Sequence, residues 1–267
     1  MSLLAEIWNV VRYSVISGAY DYFEIYTLKS WIAGWLVRVL SQITFFALIG
    51  RLLDSDAQTH FLLIGNAIVI AAMGGIFALF MTTAERANGT LSLLVASPSS
   101  PAIVFASRGV YVTADAAFSA LIGLFIIGPL FGLDFPWPEV LLVVPLTVLV
   151  GFSAYAFSTF LAGFVLRYRE INGLVVNATI VSLMTLCGVN VPIGFFPEGL
   201  EWVASVLPVT NGLESIRDTL NDESAGAIAA NAAAEAAVLL GWLTLALASF
   251  GRFVGAGRRD GSLEFAS

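Results

Sequence analysis

The residues that could carry out chemistry in this sequence are few and scattered. It contains one cysteine, Cys187, and one histidine, His60, which exclude an intrachain disulfide and a cluster of cysteine or histidine metal ligands. Its one lysine, Lys29, follows no glycine-rich loop, and no GxxxxGKS or GxxxxGKT motif is present to hold nucleotide phosphates. No HExxH or GxSxG motif occurs either. The sequence therefore predicts no catalytic residue, no metal site and no cofactor in this chain.

Ionisable residues inside the apolar stretches are also few, and we single out Arg38 and Asp115. A proton-coupled pump normally contains a chain of buried carboxylates or histidines, which is missing here. Asp115 follows Arg108 by seven positions, on roughly the same helix face, and we interpret it as a packing or interfacial residue, with a functional role as the alternative. Arg38 precedes Gln42 by four positions, and we expect it to reach the lipid headgroups rather than guard an entrance.

The composition indicates that these residues are positioned by helices that lie in a membrane. The 267 residues are 58% hydrophobic and only 12% charged, and the mean hydropathy is +0.90. A soluble domain carries roughly 25% charged residues, so both a soluble fold and a disordered chain are excluded. The absence of a Lys/Arg cluster argues against a nucleic-acid partner. We predict an all-α polytopic membrane protein whose surroundings are the lipid bilayer.

Six stretches are long and apolar enough to cross about 30 Å of hydrocarbon, which takes about 20 residues. The predicted spans are residues 31–50, 61–81 and 109–133, one stretch within 140–166, one within 173–192, and residues 227–254. Together they form a predicted membrane domain over residues 29–260, followed by a tail at 261–267.

Residues 1–28 are predicted to form an amphipathic helix that lies in the membrane interface. Apolar residues repeat on one helical stripe, and polar residues lie off it. The stripe consists of Leu3, Leu4, Ile7, Trp8, Val11 and Val15. A signal peptide is the alternative, but Glu6 and Arg12 interrupt its apolar region and no small-residue cleavage site follows.

The basic residues predict how the chain is oriented in the membrane. Ten of the twelve Lys and Arg residues fall on one side of the predicted topology, against Arg51 and Arg217 on the other. Because basic loops remain in the cytoplasm, we predict a multi-pass protein of the cell membrane with both termini cytoplasmic. Residues 193–225 then lie outside, and the tail at 261–267 lies inside.

The connection between the second and third predicted spans has a patterned sequence. Residues 82–101 read TTAERANGTLSLLVASPSSP. Leu91, Leu94 and Val95 repeat at helical spacing, and Pro98 follows them. We predict a short amphipathic helix within residues 83–98 that docks into the groove of a partner protein. A loop that lies on the lipid headgroups is the alternative.

Two segments resemble the ABC-2 type transporter permeases. The first is the connection above, whose Glu-Arg, Gly-Thr-Leu, Leu-Leu and Ser-Pro order resembles the family's coupling segment. The residues that carry this resemblance are Glu85, Arg86, Gly89, Thr90, Leu91 and Leu94. The second is GVNVPIGFFPEGLEWVASVLPVTNGLESIR at residues 188–217. In that family it forms short re-entrant helices between spans five and six, which implies an external gate at Pro192, Phe196, Pro197 and Pro208.

The resemblance implies a permease subunit of an ATP-driven exporter. A separate cytoplasmic ABC ATPase would bind ATP and Mg²⁺, and a second permease, identical or related, would complete the path. In the family that path follows the seam between two permeases and is lined by spans one, two and five. The polar and aromatic residues of these spans are Gln42, Thr44, Phe45, Phe46, Asn66, Asn177, Thr179, Ser182 and Thr185. For each of them, hydrogen bonding between helices of one subunit is the alternative.

Two other functions stay open at this point. A stand-alone secondary transporter should have interrupted helices in both halves, whereas the sequence has a broken segment only near residues 188–208. A membrane-embedded, lipid-modifying enzyme should gather ionisable or nucleophilic residues at one depth, and none gather. The apolar, Phe-rich spans favour a hydrophobic or amphipathic substrate over a small ion.

Overall fold

The structure is a computed structural model, and it describes residues 3–25, 27–87, 103–104, 107, 109–165 and 171–260. Regular secondary structure in these residues is entirely helical. The α-helices, numbered in chain order, are α1 (Leu3–Ile25), α2 (Leu28–Leu52), α3 (Asp56–Ala87), α4 (Val110–Leu130), α5 (Val143–Val165), α6 (Asn172–Leu186), α7 (Glu198–Val206), α8 (Thr210–Leu220) and α9 (Ala225–Asp260). Short 3₁₀ turns precede α5 at Glu139–Leu142 and α7 at Ile193–Phe195.

Five helices of the described chain are long and apolar enough to cross a membrane. They are α2, α3, α4, α5 with its preceding turn, and α9, and they coincide with five of the six predicted spans. The remaining predicted span, within 173–192, corresponds to α6, which has only 15 residues. At 1.5 Å per residue α6 extends roughly 22 Å, which is short of the hydrocarbon thickness. The chain leaves helical geometry at Gly188, whose φ is +75°. A sixth complete span therefore remains a prediction.

Helix α3 forms the centre of the bundle because small residues let its neighbours approach closely. A Cβ atom added to Gly74 would lie 2.1 Å from the Cβ of Ala116 on α4. A Cβ atom added to Gly75 would lie 2.6 Å from the backbone nitrogen of Tyr155 on α5. Lipid supplies no hydrophobic driving force between helices, so such close packing holds the bundle together. Helices α2 and α9 lie at the periphery and bury only one side each.

Helix α1 packs against α4 through one face and leaves another face open. Ser14 and Gly18 are buried on the inner face. Trp8 and Tyr20, at 65% and 71% exposure, lie on the outer face together with Arg12. Val11 and Val15 of the predicted stripe are half-buried. A helix is present, whereas its placement in the membrane interface remains a prediction.

The connecting segments 53–55, 131–138 and 187–224 lie at one end of the bundle, which we call the acidic end. Arg217 of α8 contacts Phe61 near the start of α3 there, and the ring of His60 contacts the carbonyl of Phe131. Asp54, Asp134 and Glu198 lie in these segments. Helices α7 and α8, with 9 and 11 residues, are too short to cross a membrane and belong to this end. Whether they re-enter the bilayer remains a prediction.

Candidate functional site

The predicted coupling residues lie at the opposite end of α3. Glu85 and Arg86 belong to its last turn, because α3 continues to Ala87, six residues beyond the predicted end of that span at 81. Gly89, Thr90, Leu91 and Leu94 lie outside the described residues, as does most of segment 83–98. The docking helix therefore remains a prediction. The first residues of segment 83–98, up to Ala87, are the last residues of α3.

The predicted path residues of α2 lie on different sides of that helix. Val39, Ile43 and Ala47 are buried and pack α2 on its neighbours. Phe45 is 60% exposed on the other side, and its ring contacts that of Phe46 edge-on at 5.4 Å. Gln42 and Thr44, like Phe46, are half-buried. By helical position Gln42 and Phe46 flank the packed face on one side and Thr44 flanks it on the other, and only Phe45 lies on the open face.

Asn66 of α3 lies inside the subunit. Its side chain is fully buried, and its amide donates hydrogen bonds to the carbonyl of Leu62 at 3.0 Å and to Oδ1 of Asn190 at 2.9 Å. This pair joins α3 to the segment after α6. The contact favours the alternative role for Asn66, hydrogen bonding between parts of one subunit.

The exposed face of helix α6 is mixed, because Leu174 and Val181 lie there beside polar residues. Val176, Thr179 and Leu183 are buried against the bundle. Ser182 and Thr185 are exposed on the other face together with Asn177, whose amide donates to the carbonyl of Gly173 at 2.8 Å. Polar side chains facing hydrocarbon are unfavourable, so Ser182 and Thr185 favour a protein or aqueous neighbour, whereas the exposed Leu174 and Val181 suit lipid.

The four predicted gate residues lie at junctions between the short helices. Pro192 precedes the 3₁₀ turn, and Pro197 is the N-cap of α7, where its missing N–H leaves no bond unmade. Phe196 lies between these two elements and is half-buried. Pro208 is buried between α7 and α8. Their positions explain where the chain turns, and their role in gating stays a prediction.

Asp115 takes part in the packing of α2 on α4, whereas Arg38 is exposed and contacts a residue of α2 itself. The indole nitrogen of Trp31 donates to Oδ1 of Asp115 at 3.1 Å, and that of Trp35 donates to Ser119 at 2.9 Å. The Arg38 guanidinium lies 5.3 Å from the Trp35 ring, within range of a cation–π contact. Both tryptophans belong to a π-helical stretch, Trp31–Leu36. Asp115 is therefore in helix-packing contact, as the sequence analysis interprets it.

Glu235 is an ionisable residue that the sequence analysis overlooked, although it lies inside the predicted span 227–254. It is fully buried. One carboxylate oxygen accepts the backbone N–H of Val209 and the other accepts that of Gly212, both at 3.0 Å. A helix begins with N–H groups that have no partner within the helix, and a carboxylate suits the positive end of the helix dipole. Glu235 of α9 thus fastens the start of α8. The signal was available as a lone acid in the run AAAEAAVLL.

Val209, which precedes α8, has an unfavourable backbone conformation. Its φ is +87°, which is a genuine outlier for a β-branched residue. Such strain persists only where the surroundings impose it. Here they include the bond to Glu235 and a close approach at Gly212, where an added Cβ atom would lie 2.4 Å from Val150 of α5.

Arg217 of α8 is buried, with an exposure of 7%. It is one of the two basic residues that the sequence predicts on the acidic side. One of its terminal nitrogens donates to the carbonyls of Phe61 at 3.1 Å and Gly188 at 2.8 Å. The guanidinium also lies 3.8 Å from the Phe61 ring and 3.6 Å from a carboxylate oxygen of Glu214. Burial lowers the pKa of Arg217 to about 10, and Glu214 opposes that change, so the side chain remains charged at neutral pH.

A cavity of about 350 Å³, which we call the outer cavity, lies beside Arg217 at the acidic end. It is lined by Phe61, Pro192, Ile193, Gly194, Glu214, Arg217, Asp218 and Asn221. Residues from α3 and the 3₁₀ turn form one side, and residues from α8 form the other. Among the residues that the structure describes, no three His, Cys, Asp or Glu side chains are grouped to bind a metal ion.

Comparison with known proteins agrees with this architecture. Residues 51–248 match the model of a family described as ABC-2 family transporter protein. The match begins at the end of α2, includes α3 to α8, and covers more than half of the 267 residues. Searches of curated proteins and of solved structures give no significant match. With its apolar helices and this match, the chain belongs to the ABC-2 family of transporter proteins and is a multi-pass membrane component of a transporter.

Proposed function

We propose that this chain is the permease subunit of an ATP-driven exporter, working with a second permease subunit and a separate cytoplasmic ABC ATPase. The family match over residues 51–248 is the observation that carries the proposal. Because the sequence lacks a phosphate-binding loop, ATP and Mg²⁺ belong to the ATPase in this arrangement.

The second permease subunit is proposed from the outward faces of α2 and α6. Both helices pack against α3, and each leaves a side uncovered. Ser182 and Thr185 on α6 and Phe45 on α2 lie on those sides. A homodimer or heterodimer that meets along these faces supplies polar neighbours to α6 and encloses a path between the subunits. The mixture of phenyl rings and hydroxyl groups along it suits a hydrophobic or amphipathic substrate.

The orientation follows from the distribution of charge. The acidic end, with the predicted gate residues Pro192, Phe196, Pro197 and Pro208, is placed outside the cell. The end of α3 that carries Glu85 and Arg86 is then inside, where segment 83–98 contacts the ATPase. Both chain termini lie in the cytoplasm in this proposal.

Purification from native membranes tests the partnership. We expect an ABC ATPase to co-purify with the tagged chain, and we expect the isolated chain neither to bind nor to hydrolyse ATP. ATP hydrolysis by the isolated chain would contradict the proposal, as would transport by the chain alone.

Cysteine labelling in intact cells tests the orientation separately. In a Cys187→Ser background, Ser224→Cys should react with a membrane-impermeant maleimide from outside, because residue 224 is exposed at the acidic end. The control Arg12→Cys, exposed on α1, should react only after permeabilisation. The reverse pattern would invert the proposed topology.

A further inference from the structure

Helix α8 is attached firmly to one side of the acidic end. Glu235 fastens its start to α9, and Gly212 lies directly against Val150 of α5. The hydroxyl of Ser215 donates to the carbonyl of Ile228, which adds a further bond to the start of α9. Helix α8 and the start of α9 therefore form one packed unit that lies on α5.

The segment after α6 is attached to the other side. Asn190 accepts the amide of Asn66 on α3. An added Cβ atom on Gly65 of α3 would lie 2.3 Å from the carbonyl oxygen of Val189, so the two backbones are in direct contact. This segment consequently belongs with α3, and the outer cavity lies between it and α8.

Arg217 bridges these two units. Its side chain starts on α8, and both of the carbonyls that it binds, those of Phe61 and Gly188, belong to the α3 side. Both acceptors are uncharged, whereas the charged partner, Glu214, lies one turn earlier on α8 itself. Separation of α8 from α3 would therefore break the carbonyl contacts and leave the ion pair intact.

We propose that Arg217 is a latch that holds the acidic end of the subunit closed, and that this end opens along the outer cavity when Arg217 leaves the carbonyls of Phe61 and Gly188. The transport role of this opening rests on the proposed function, but the latch itself is a property of the single chain. Glu214 is the residue that makes opening possible. Removing one partner from a buried charge is strongly unfavourable, and Glu214 moves with the arginine as its remaining partner.

The position of Glu214 fits this task. In the closed state its carboxylate lies 3.6 Å from the guanidinium, too far for a direct hydrogen bond, and its side chain is 49% exposed. Once the guanidinium no longer faces the carbonyls, it can turn fully toward Glu214. The ion pair therefore persists in the open state and offsets part of the cost of losing the carbonyl contacts.

Cys187 is a natural reporter of this equilibrium. It is the one cysteine of the chain, it is fully buried, and it lies next to Gly188. The side chain of Thr210 on α8 contacts it. Movement of α8 away from the α3 side therefore exposes the thiol to a maleimide, without any need for substrate or an ATPase.

The experiment measures the rate of maleimide labelling of Cys187 in the full chain held in lipid nanodiscs, where both membrane faces are accessible. Arg217→Met keeps most of the side-chain volume but removes both bonds to the carbonyls. We expect labelling roughly tenfold faster or more, the factor that corresponds to losing a hydrogen bond from a charged donor. Glu214→Gln removes a partner that Arg217 keeps in both states, so we expect the labelling rate to change by roughly twofold or less, in keeping with a half-exposed ion pair.

Matched controls are Arg51→Met and Glu223→Gln, because both residues are exposed at the same end. Neither should alter the rate. The contrast between the two test variants is decisive, because it separates the carbonyl contacts, which opening breaks, from the ion pair, which opening keeps. An unchanged rate in Arg217→Met, or an acceleration in Glu214→Gln as large as that in Arg217→Met, would overturn the latch. In nanodiscs the labelling rate depends neither on the orientation of the chain in the membrane nor on an ATPase. The experiment can therefore contradict the latch without contradicting the proposed exporter role, and the reverse also holds.

Discussion

Replacement of Glu235 should expose how much of the acidic end depends on one side chain. Its carboxylate accepts the N–H groups of Val209 and Gly212, each at 3.0 Å, in a fully buried position. Glu235→Ala removes both acceptors. Glu235→Gln keeps the shape of the side chain and one acceptor oxygen, but its amide nitrogen then faces a backbone N–H, so two donors oppose each other.

The size of the effect follows from these two bonds. A buried N–H group that loses its partner costs about 1–3 kcal/mol, so Glu235→Ala should lower the free energy of unfolding by about 2–6 kcal/mol. Glu235→Gln leaves one N–H group unsatisfied and should lower it by about 1–3 kcal/mol. Loss of the negative charge at the start of α8 adds up to about 1 kcal/mol in both variants. Neither variant has to bury a negative charge, and this saving in desolvation free energy offsets part of each loss. It offsets a larger fraction of the smaller loss, that of the glutamine variant.

The measurement is unfolding of the purified protein in mixed micelles, followed by intrinsic fluorescence. Glu223→Gln is the matched control, because Glu223 is exposed in the turn that follows α8. We expect the control to have the highest free energy of unfolding, the glutamine variant a lower one and the alanine variant the lowest. If Glu235→Gln unfolds with the same free energy as the control, the carboxylate does not hold α8 and the assignment of its two bonds is wrong.

Four further predictions concern other parts of the chain. Val209→Gly should destabilise the protein less than Val209→Ala in the same unfolding assay, because glycine adopts φ of +87° without the strain of about 1–3 kcal/mol that alanine retains. Gly75→Ala should impair folding or expression, since its Cβ atom would lie 2.6 Å from the backbone of Tyr155, whereas Gly241→Ala, with open space around it, should yield normal amounts of folded protein by size-exclusion chromatography. Trp31→Phe should lower the free energy of unfolding by about 1 kcal/mol through loss of the bond to Asp115, and the exposed Trp137→Phe should leave it unchanged. Leu91→Asp should abolish co-purification of the ATPase while membrane insertion continues; retention of both the ATPase and transport would contradict the coupling assignment.

The spans were predictable because hydropathy depends only on local composition. Five of the six predicted stretches correspond to long apolar helices, within a few residues at most ends. The sixth stretch, within 173–192, corresponds to the shorter helix α6, which ends before the turn at Gly188, in the segment that the sequence already marks as broken. That turn depends on contacts with Arg217 and Asn66, which are distant in the sequence.

The candidate site was less accessible to sequence analysis, because its contacts join residues far apart in the chain. The Trp31–Asp115 bond spans 84 positions, and the Arg217–Phe61 bond spans 156. A count of charges on each side of the membrane placed Arg217 correctly at the acidic end but gave no sign that it is buried. Glu235 was overlooked because a single acid barely changes the average hydropathy of a long alanine-rich helix.

The length of α3 has a mechanical consequence. Phe61, which receives the Arg217 contact, and Glu85, at the start of the predicted coupling segment, belong to the same unbroken helix of 32 residues. They are 24 positions apart, or roughly 36 Å at 1.5 Å per residue. Gly74 and Gly75 are the pair at which such a helix would bend, yet both are pressed against α4 and α5. Helix α3 can therefore act as a stiff lever arm: a tilt of about 5° moves its far end by roughly 3 Å over that length. Events at the two faces of the membrane are then linked by one rod, without a relay of side chains between them.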